Sequence, residues 1–356
     1  MVKIAKFFHK KPNLYLYGVR LRSSIVLFII LLILSIISLF TGILDLNLNG
    51  IFNGNKEQLN TLLISRLPRL LAIICAGIAL STAGLIMQQL CMNKFVSPTT
   101  SGTIASSQLG ILLSLIIFPS ATLTHRAIFA FGVAMLGTWI FVAFIQKIKF
   151  KDTAMVAIIG IMFSYVIGGV TSFIAFKFDL VQTISTWLTG SFSLILRGNY
   201  ELVYMAFPLF IIAFVFANYF NIVGMGRDFS KNLGISYNFI LFLGLSIAAM
   251  LTACVVVVVG TISYIGLIVP NLVTMFKGDR LQGTLIDTAL FGAIFVLACD
   301  LIGRVLIAPY ELPIELIAGM LGSVVFIVLM LYKLRKPQKR VLVGKNSQNS
   351  CKAGQI

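Results

Sequence analysis

Long uncharged apolar runs dominate this chain, and they decide the solvent in which it folds. Residues 25–44, 204–217 and 238–260 contain no Lys, Arg, Asp or Glu, and a helix needs about 20 such residues to cross the hydrocarbon of a bilayer. Over the 356 residues, 59% are hydrophobic and 11% charged, more apolar surface than one soluble core can hide. Backbone groups in lipid must find partners within their own segment, so these runs are predicted to be helices. The fold class is therefore all-α, a polytopic helix bundle. Spans are expected at about 23–44, 67–90, 100–118, 126–146, 153–175, 200–221, 238–260, 262–276, 284–304 and 313–332. The organisation that follows is a basic N-terminus (1–22), a membrane domain (23–332) and a basic tail (333–356), with both termini expected in the cytoplasm of a multi-pass membrane protein.

The net charge of +17 would point to nucleic acid in a soluble protein. Here its placement explains it. With the N-terminus inside, the inner segments hold the basic residues from Lys3 to Arg22, then Lys94, Lys147, Lys149, Lys151, Arg227, Lys231, Lys277, Arg280 and those of the tail, 21 of the 28 Lys and Arg. That asymmetry is the positive-inside rule, so no nucleic-acid partner is expected. The first run ends in Thr41-Gly42-Ile43-Leu44-Asp45, without a small-x-small cleavage pattern, and reads as a retained helix. Five scattered cysteines and two distant histidines indicate neither a disulfide framework nor a metal site.

Catalytic patterns are missing. There is no HExxH, no GxSxG elbow with a base, and no GxxxxGK[ST] loop. The chain is not expected to be an enzyme or to hydrolyse ATP alone, and no cofactor is expected. Ion-coupled carriers need ionisable groups at membrane depth. Asp287 and Asp300 are the candidates, and Asp300 lies four residues before Arg304, where helical side chains meet. A structural pair is favoured over a proton relay. Polar residues in the spans, Gln88, Gln89 and Thr252, fit a low-affinity path or core hydrogen bonding about equally. Small residues at Ala76, Ala79, Ala83 and Gly84, and at Gly160, Gly168 and Gly169, are read as helix-contact positions. A short helix dipping to the interface is expected within 176–199, near Trp187, while 222–237 reads equally as a short amphipathic surface helix or as a solvated loop.

Arg66 and Arg69 bracket Leu67-Pro68 where the second span enters from outside, with Pro68 suited to a first helical turn. Arg304 ends the ninth span. Outside arginines run against the charge bias, and the readings are contact with lipid headgroups or docking of an acidic partner.

Taken in order, several segments resemble the permeases of iron-chelate and cobalamin importers (BtuC/FecCD-like) over residues 60–332. These are Arg66-Leu-Pro-Arg69, Ala76-Gly77, Gly84, Met87-Gln-Gln89, Asn93-Lys-Phe-Val-Ser-Pro98, Trp187-Leu-Thr-Gly190-Ser191, Leu233-Gly234-Ile235, Gly266-Leu-Ile-Val-Pro270-Asn271, and Asp300 to Arg304 followed by Glu311-Leu-Pro313. The resemblance implies a ten-helix subunit that dimerises around a central path, here with a different, homologous permease chain. It implies two ATPase subunits on the cytoplasmic face and an extracytoplasmic binding lipoprotein. By the same resemblance Arg66, Arg69 and Arg304 dock the binding protein, and Gly226, Arg227, Leu233, Gly234 and Ile235 couple to the ATPase. Asp152 and Thr153 fall at an inner gate. Two departures, Asn93–Pro98 and Pro270-Asn271, look like the catecholate-siderophore branch, so a ferric catecholate is the expected cargo. Cobalamin or haem is the alternative, and an ion-coupled carrier is the reading from another class.

Overall fold

A computed structural model describes residues 14–42, 56–98, 102–147, 154–198, 200–278, 280–307 and 309–335. The regular structure among the described residues is helical, with two isolated β-bridges besides. Helix α1 covers Leu14–Phe40. Helix α2 (Lys56–Thr61) runs through a π turn (Leu62–Arg66) into α3 (Leu67–Leu90). Then come α4 (Thr103–Ile117), α5 (Leu123–Lys147), α6 (Ala154–Lys177) and the short α7 (Val181–Leu188). A 3₁₀ turn (Glu201–Met205) opens α8 (Ala206–Val223), and α9 (Arg227–Asn232) is a short connection. Helices α10 (Tyr237–Val259), α11 (Ile265–Lys277), α12 (Leu281–Val305) and α13 (Ile314–Arg335) complete the bundle.

Eight of the spans are long and apolar enough to cross a membrane. The other two predicted crossings, at 100–118 and 262–276, contain shorter apolar helices, α4 and α11. Helix α11 has 13 residues, about 20 Å of helix, and is preceded by a non-helical stretch from Gly260 to Ser263. Both short helices begin at a left-handed residue, Gly102 (φ 74°) before α4 and Tyr264 (φ 67°) before α11. The halves of the chain also pack crosswise. Helix α3 lies against α11 and α12, while α10 lies against α4 and α5. Helix α3 begins at the end of the bundle where α10 finishes, so these two central helices run in opposite directions.

Helix α3 is the axis of the bundle. Its small residues let neighbours approach closely. A Cβ on Gly84 would lie 1.9 Å from the Gly266 carbonyl oxygen, and one on Gly77 would lie 2.5 Å from the Ala293 Cα. Ala76, Ala79 and Ala83 are fully buried. The expectation for the second span therefore holds. That for Gly168 and Gly169 does not, since a Cβ on either would meet nothing within 4 Å; these glycines leave room instead of closing it.

The second span also starts earlier than predicted, because helical backbone continues outward from Leu67 to Lys56. Pro68 has no N–H to give the carbonyl four residues back. The π turn ends just before it, and Arg197 N–H donates to that orphaned Ile64 carbonyl at 3.1 Å. Pro270 frees the Gly266 carbonyl in α11 in the same way, and Gln88 Nε2 reaches it at 3.4 Å.

Candidate functional site

Three places carry polar chemistry. At one end of the bundle, the arginines singled out in the sequence come together. Arg69 donates from Nη2 to Asp300 Oδ1 at 2.8 Å and from Nη1 to Glu311 Oε2 at 2.7 Å. Arg304 pairs with Asp300, its i−4 neighbour on α12, and gives Nη1 to the carbonyls of Ser38 (3.1 Å) and Thr41 (3.3 Å). Arg66 also donates to the Thr41 carbonyl. Two arginines thus cap the C-terminal end of α1, where orphan carbonyls and the helix dipole favour cations. The Asp300–Arg304 pair is the structural pair expected from the spacing. The Arg304 side chain is 3% exposed, that of Arg69 12%. Both guanidinium groups are committed within the chain, and Arg66 lies nearer the surface.

A cavity of about 800 Å³ opens in the half of the bundle nearer this end. Helix α6 forms one wall with Tyr165, Thr171 and Ser172, and the bare backbone at Gly168 and Gly169 provides the space. Gln108 from α4, with Ser185 and Thr189 from α7 and its turn, adds further neutral polar groups. The floor is a clasp between chain turns. Thr261 N–H donates to the Leu188 carbonyl at 2.9 Å and Ser191 N–H to that of Val259 at 3.0 Å. Gly190 is required there, since its Cβ would sit 2.0 Å from the Thr261 oxygen. Glu315, in the first turn of α13, accepts from Thr261 Oγ1 at 2.8 Å and Gly190 N at 3.3 Å, and is one of the residues lining the cavity. The sequence reading passed over Glu315 as a site residue. The available signal was an acid in a span with no basic residue at helical spacing. Gln88 and Thr252, candidates for a path, do not line the cavity: Gln88 serves the Gly266 and Leu267 carbonyls and Thr252 that of Ala248. Core hydrogen bonding is the correct reading of both.

The opposite end holds the third place. Gly226 (φ 109°) and Gly234 (φ 73°) bracket α9, and the buried Ser230 hydroxyl fastens it to the Gly226 carbonyl at 2.8 Å. Arg227 lies in the first turn. Ile235 N–H donates to the Ser230 carbonyl at 3.0 Å. Met225, Phe229 and Leu233, four residues apart, stand 62, 46 and 54% exposed. This apolar patch outside the spans includes two residues that the sequence reading omitted, Met225 and Phe229; Met225 precedes the break at Gly226, and Phe229 and Leu233 share the helical spacing. Nearby, Asn271 Nδ2 donates to the Lys94 carbonyl at 2.8 Å and Pro98 packs against Gly266. The two departures from the family pattern are therefore one contact, and neither lines the cavity. Asp287 accepts from Ser24 at 2.6 Å and pairs with Lys277. Asp152 and Thr153 lie outside the described residues. Among the described residues no group of three or more His, Cys, Asp or Glu could hold a metal ion.

Residues 30–332 match the FecCD transport family. The chain belongs to that family. It is 45% identical over 305 residues to the petrobactin import system permease protein YclN of Bacillus subtilis, a match covering 86% of this chain and 96% of that protein. Against the ferric-anguibactin transport system permease protein FatD of Vibrio anguillarum it is 37% identical, with 83% of this chain and 94% of that protein covered. A solved metal-chelate type ABC transporter in an inward-facing conformation superposes with a TM-score of 0.77 at 25% identity, over 87% of this chain and 99% of the other. This FecCD member is accordingly a multi-pass membrane permease of the ABC importer class, with the BtuC-like helix bundle that the sequence implied. The grouping of Arg66 and Arg69 with Arg304 is a property of this bundle, since Arg69 and the Asp300 that it shares with Arg304 are 231 residues apart in sequence.

Proposed function

We propose that this chain is one of two permease subunits of an ATP-driven importer for a ferric siderophore. The cavity carries the reading: about 800 Å³ walled by hydroxyl and amide groups suits a bulky polar chelate that passes without tight binding. The permease relatives named for petrobactin and ferric-anguibactin support a siderophore cargo, and a catecholate is the class we assign. The arginine end faces outward and both termini lie in the cytoplasm, because that orientation places most basic residues inside. An extracytoplasmic binding lipoprotein delivers the chelate at the arginine end. Arg66 meets its carboxylates first, and Arg69 and Arg304 hold the surface beneath. Two ATPase subunits seat on the ridge of α9, with Gly226, Arg227, Leu233, Gly234 and Ile235 transmitting their closure. A second, homologous permease chain faces α6, whose Tyr165, Phe173 and Phe176 are more than two-thirds exposed. Asp152 and Thr153 sit at the inner gate.

Deletion of the gene tests the cargo. The strain should fail to grow on one ferric catecholate as sole iron source and keep cobalamin and haem uptake. Loss of cobalamin or haem uptake with normal growth on every catecholate would replace the cargo. Uptake by the purified chain driven by a proton or sodium gradient, without ATPase subunits, would replace the mechanism.

A further inference from the structure

Three acidic side chains lie in or at the ends of the spans on α12 and α13, and two of them have a cation. Asp287 has Lys277, and Asp300 has Arg69 and Arg304. Glu315 has none among the described residues. An ionisable group at membrane depth is costly enough that it normally marks a pathway or finds a partner. The Glu315 carboxylate, in the first turn of α13, is held by the Thr261 hydroxyl and the Gly190 N–H. Those two hydrogen bonds use about half of the lone-pair positions that a carboxylate offers. Glu315 lines the cavity, and among the described residues its wall has no Lys, Arg or His.

Fastening the clasp does not require this charge. The Thr261 hydroxyl has a single proton, and the Leu188 carbonyl, also at 2.8 Å, competes with Glu315 for it. Backbone bonds from Thr261 to Leu188, from Ser191 to Val259 and from Glu315 N–H to the Gly190 carbonyl already hold the three segments together. A neutral side chain would complete the same contact. A negative charge set here therefore acts on what enters the cavity.

We infer that Glu315 is a specificity-determining residue of the path, and that it receives a protonated amine or similar cationic arm carried by the chelate. This rests on the reading of the chain as a chelate permease. The wall offers no counter-charge to an anionic iron centre, so the arm orients the cargo with its cation toward α13 and the metal centre toward the hydroxyls of α6. A charge-assisted hydrogen bond then separates chelates that have the arm from those that lack it.

The test uses the complete transporter, with its ATPase and binding protein, in liposomes. Two ferric chelates with identical iron-binding groups are compared, one with a free alkylamine arm and one with that amine acetylated. The wild type should take up the amine form roughly tenfold more efficiently, the factor expected of one such bond. Glu315→Gln should erase the preference by slowing the amine form alone, while Glu315→Asp should keep a preference for it. Using one binding protein throughout cancels its own discrimination from the ratio between variants. Equal slowing of both chelates by Glu315→Gln would make Glu315 part of the clasp only and overturn the inference, as would a wild type without preference. A wild type that takes up neither chelate would overturn the transport reading itself.

Discussion

Removing the charge of Asp300 should be the most damaging single change at the arginine end. Its side chain is 4% exposed and bridges Arg69 and Arg304, whereas Glu311, the other carboxylate, is 21% exposed and meets Arg69 alone. Asp300→Asn leaves two guanidinium groups to share one outlying carboxylate. Each contact pair is worth about 4 kcal/mol at an effective dielectric near 20, and breaking a buried pair from one side costs about 3–5 kcal/mol. Glu311→Gln should cost no more than about 1 kcal/mol, as partly exposed pairs do. With about 2 °C lost per kcal/mol in a chain of this size, the expected losses are about 6–10 °C for Asp300→Asn and about 2 °C for Glu311→Gln. The assay follows thiol labelling during heating of the detergent-purified protein, because Cys75, Cys91, Cys254 and Cys299 are all buried until it unfolds. Cys351 is first replaced by Ser. Equal losses for the two variants, or an unchanged midpoint for Asp300→Asn, would refute the assignment of Asp300 as the bridge.

Other substitutions separate packing from function. Gly84→Ala should destabilise by about 1–3 kcal/mol through overpacking against Gly266, whereas Gly168→Ala, with nothing within 4 Å, should leave the melting midpoint unchanged. Phe229→Asp should abolish ATPase association measured by co-purification while the chain inserts normally; retained association would remove the α9 ridge from that interface. Arg66→Glu should weaken binding-protein docking in a salt-dependent manner, and docking unchanged at low salt would make Arg66 solely a cap on α1. Burial pushes the Cys91 thiol from 9.0 up to about 12. Its thiolate fraction in the folded protein is then negligible near neutral pH, so maleimide should label Cys91 only after denaturation.

The sequence by itself determined the solvent, the number of crossings to within two short helices, and the orientation argument, because apolar length and basic asymmetry are local properties of a chain. It also determined the Asp300–Arg304 pair, since i and i+4 meet on any helix. Tertiary structure decided what each small or polar residue does. Gly84 and Gly168 are chemically the same in the sequence, yet one admits a neighbouring backbone and the other empties a cavity. Gln88 and Glu315 are both polar residues in apolar runs, but one reaches a carbonyl orphaned by Pro270 and the other lines the cavity. The Asn93–Pro98 and Pro270-Asn271 variants read as two independent signals, and only folding shows that Asn271 holds the Lys94 carbonyl. Such roles depend on which helix lies opposite. That is set by the crosswise packing of two halves far apart along the chain, and no local pattern encodes it.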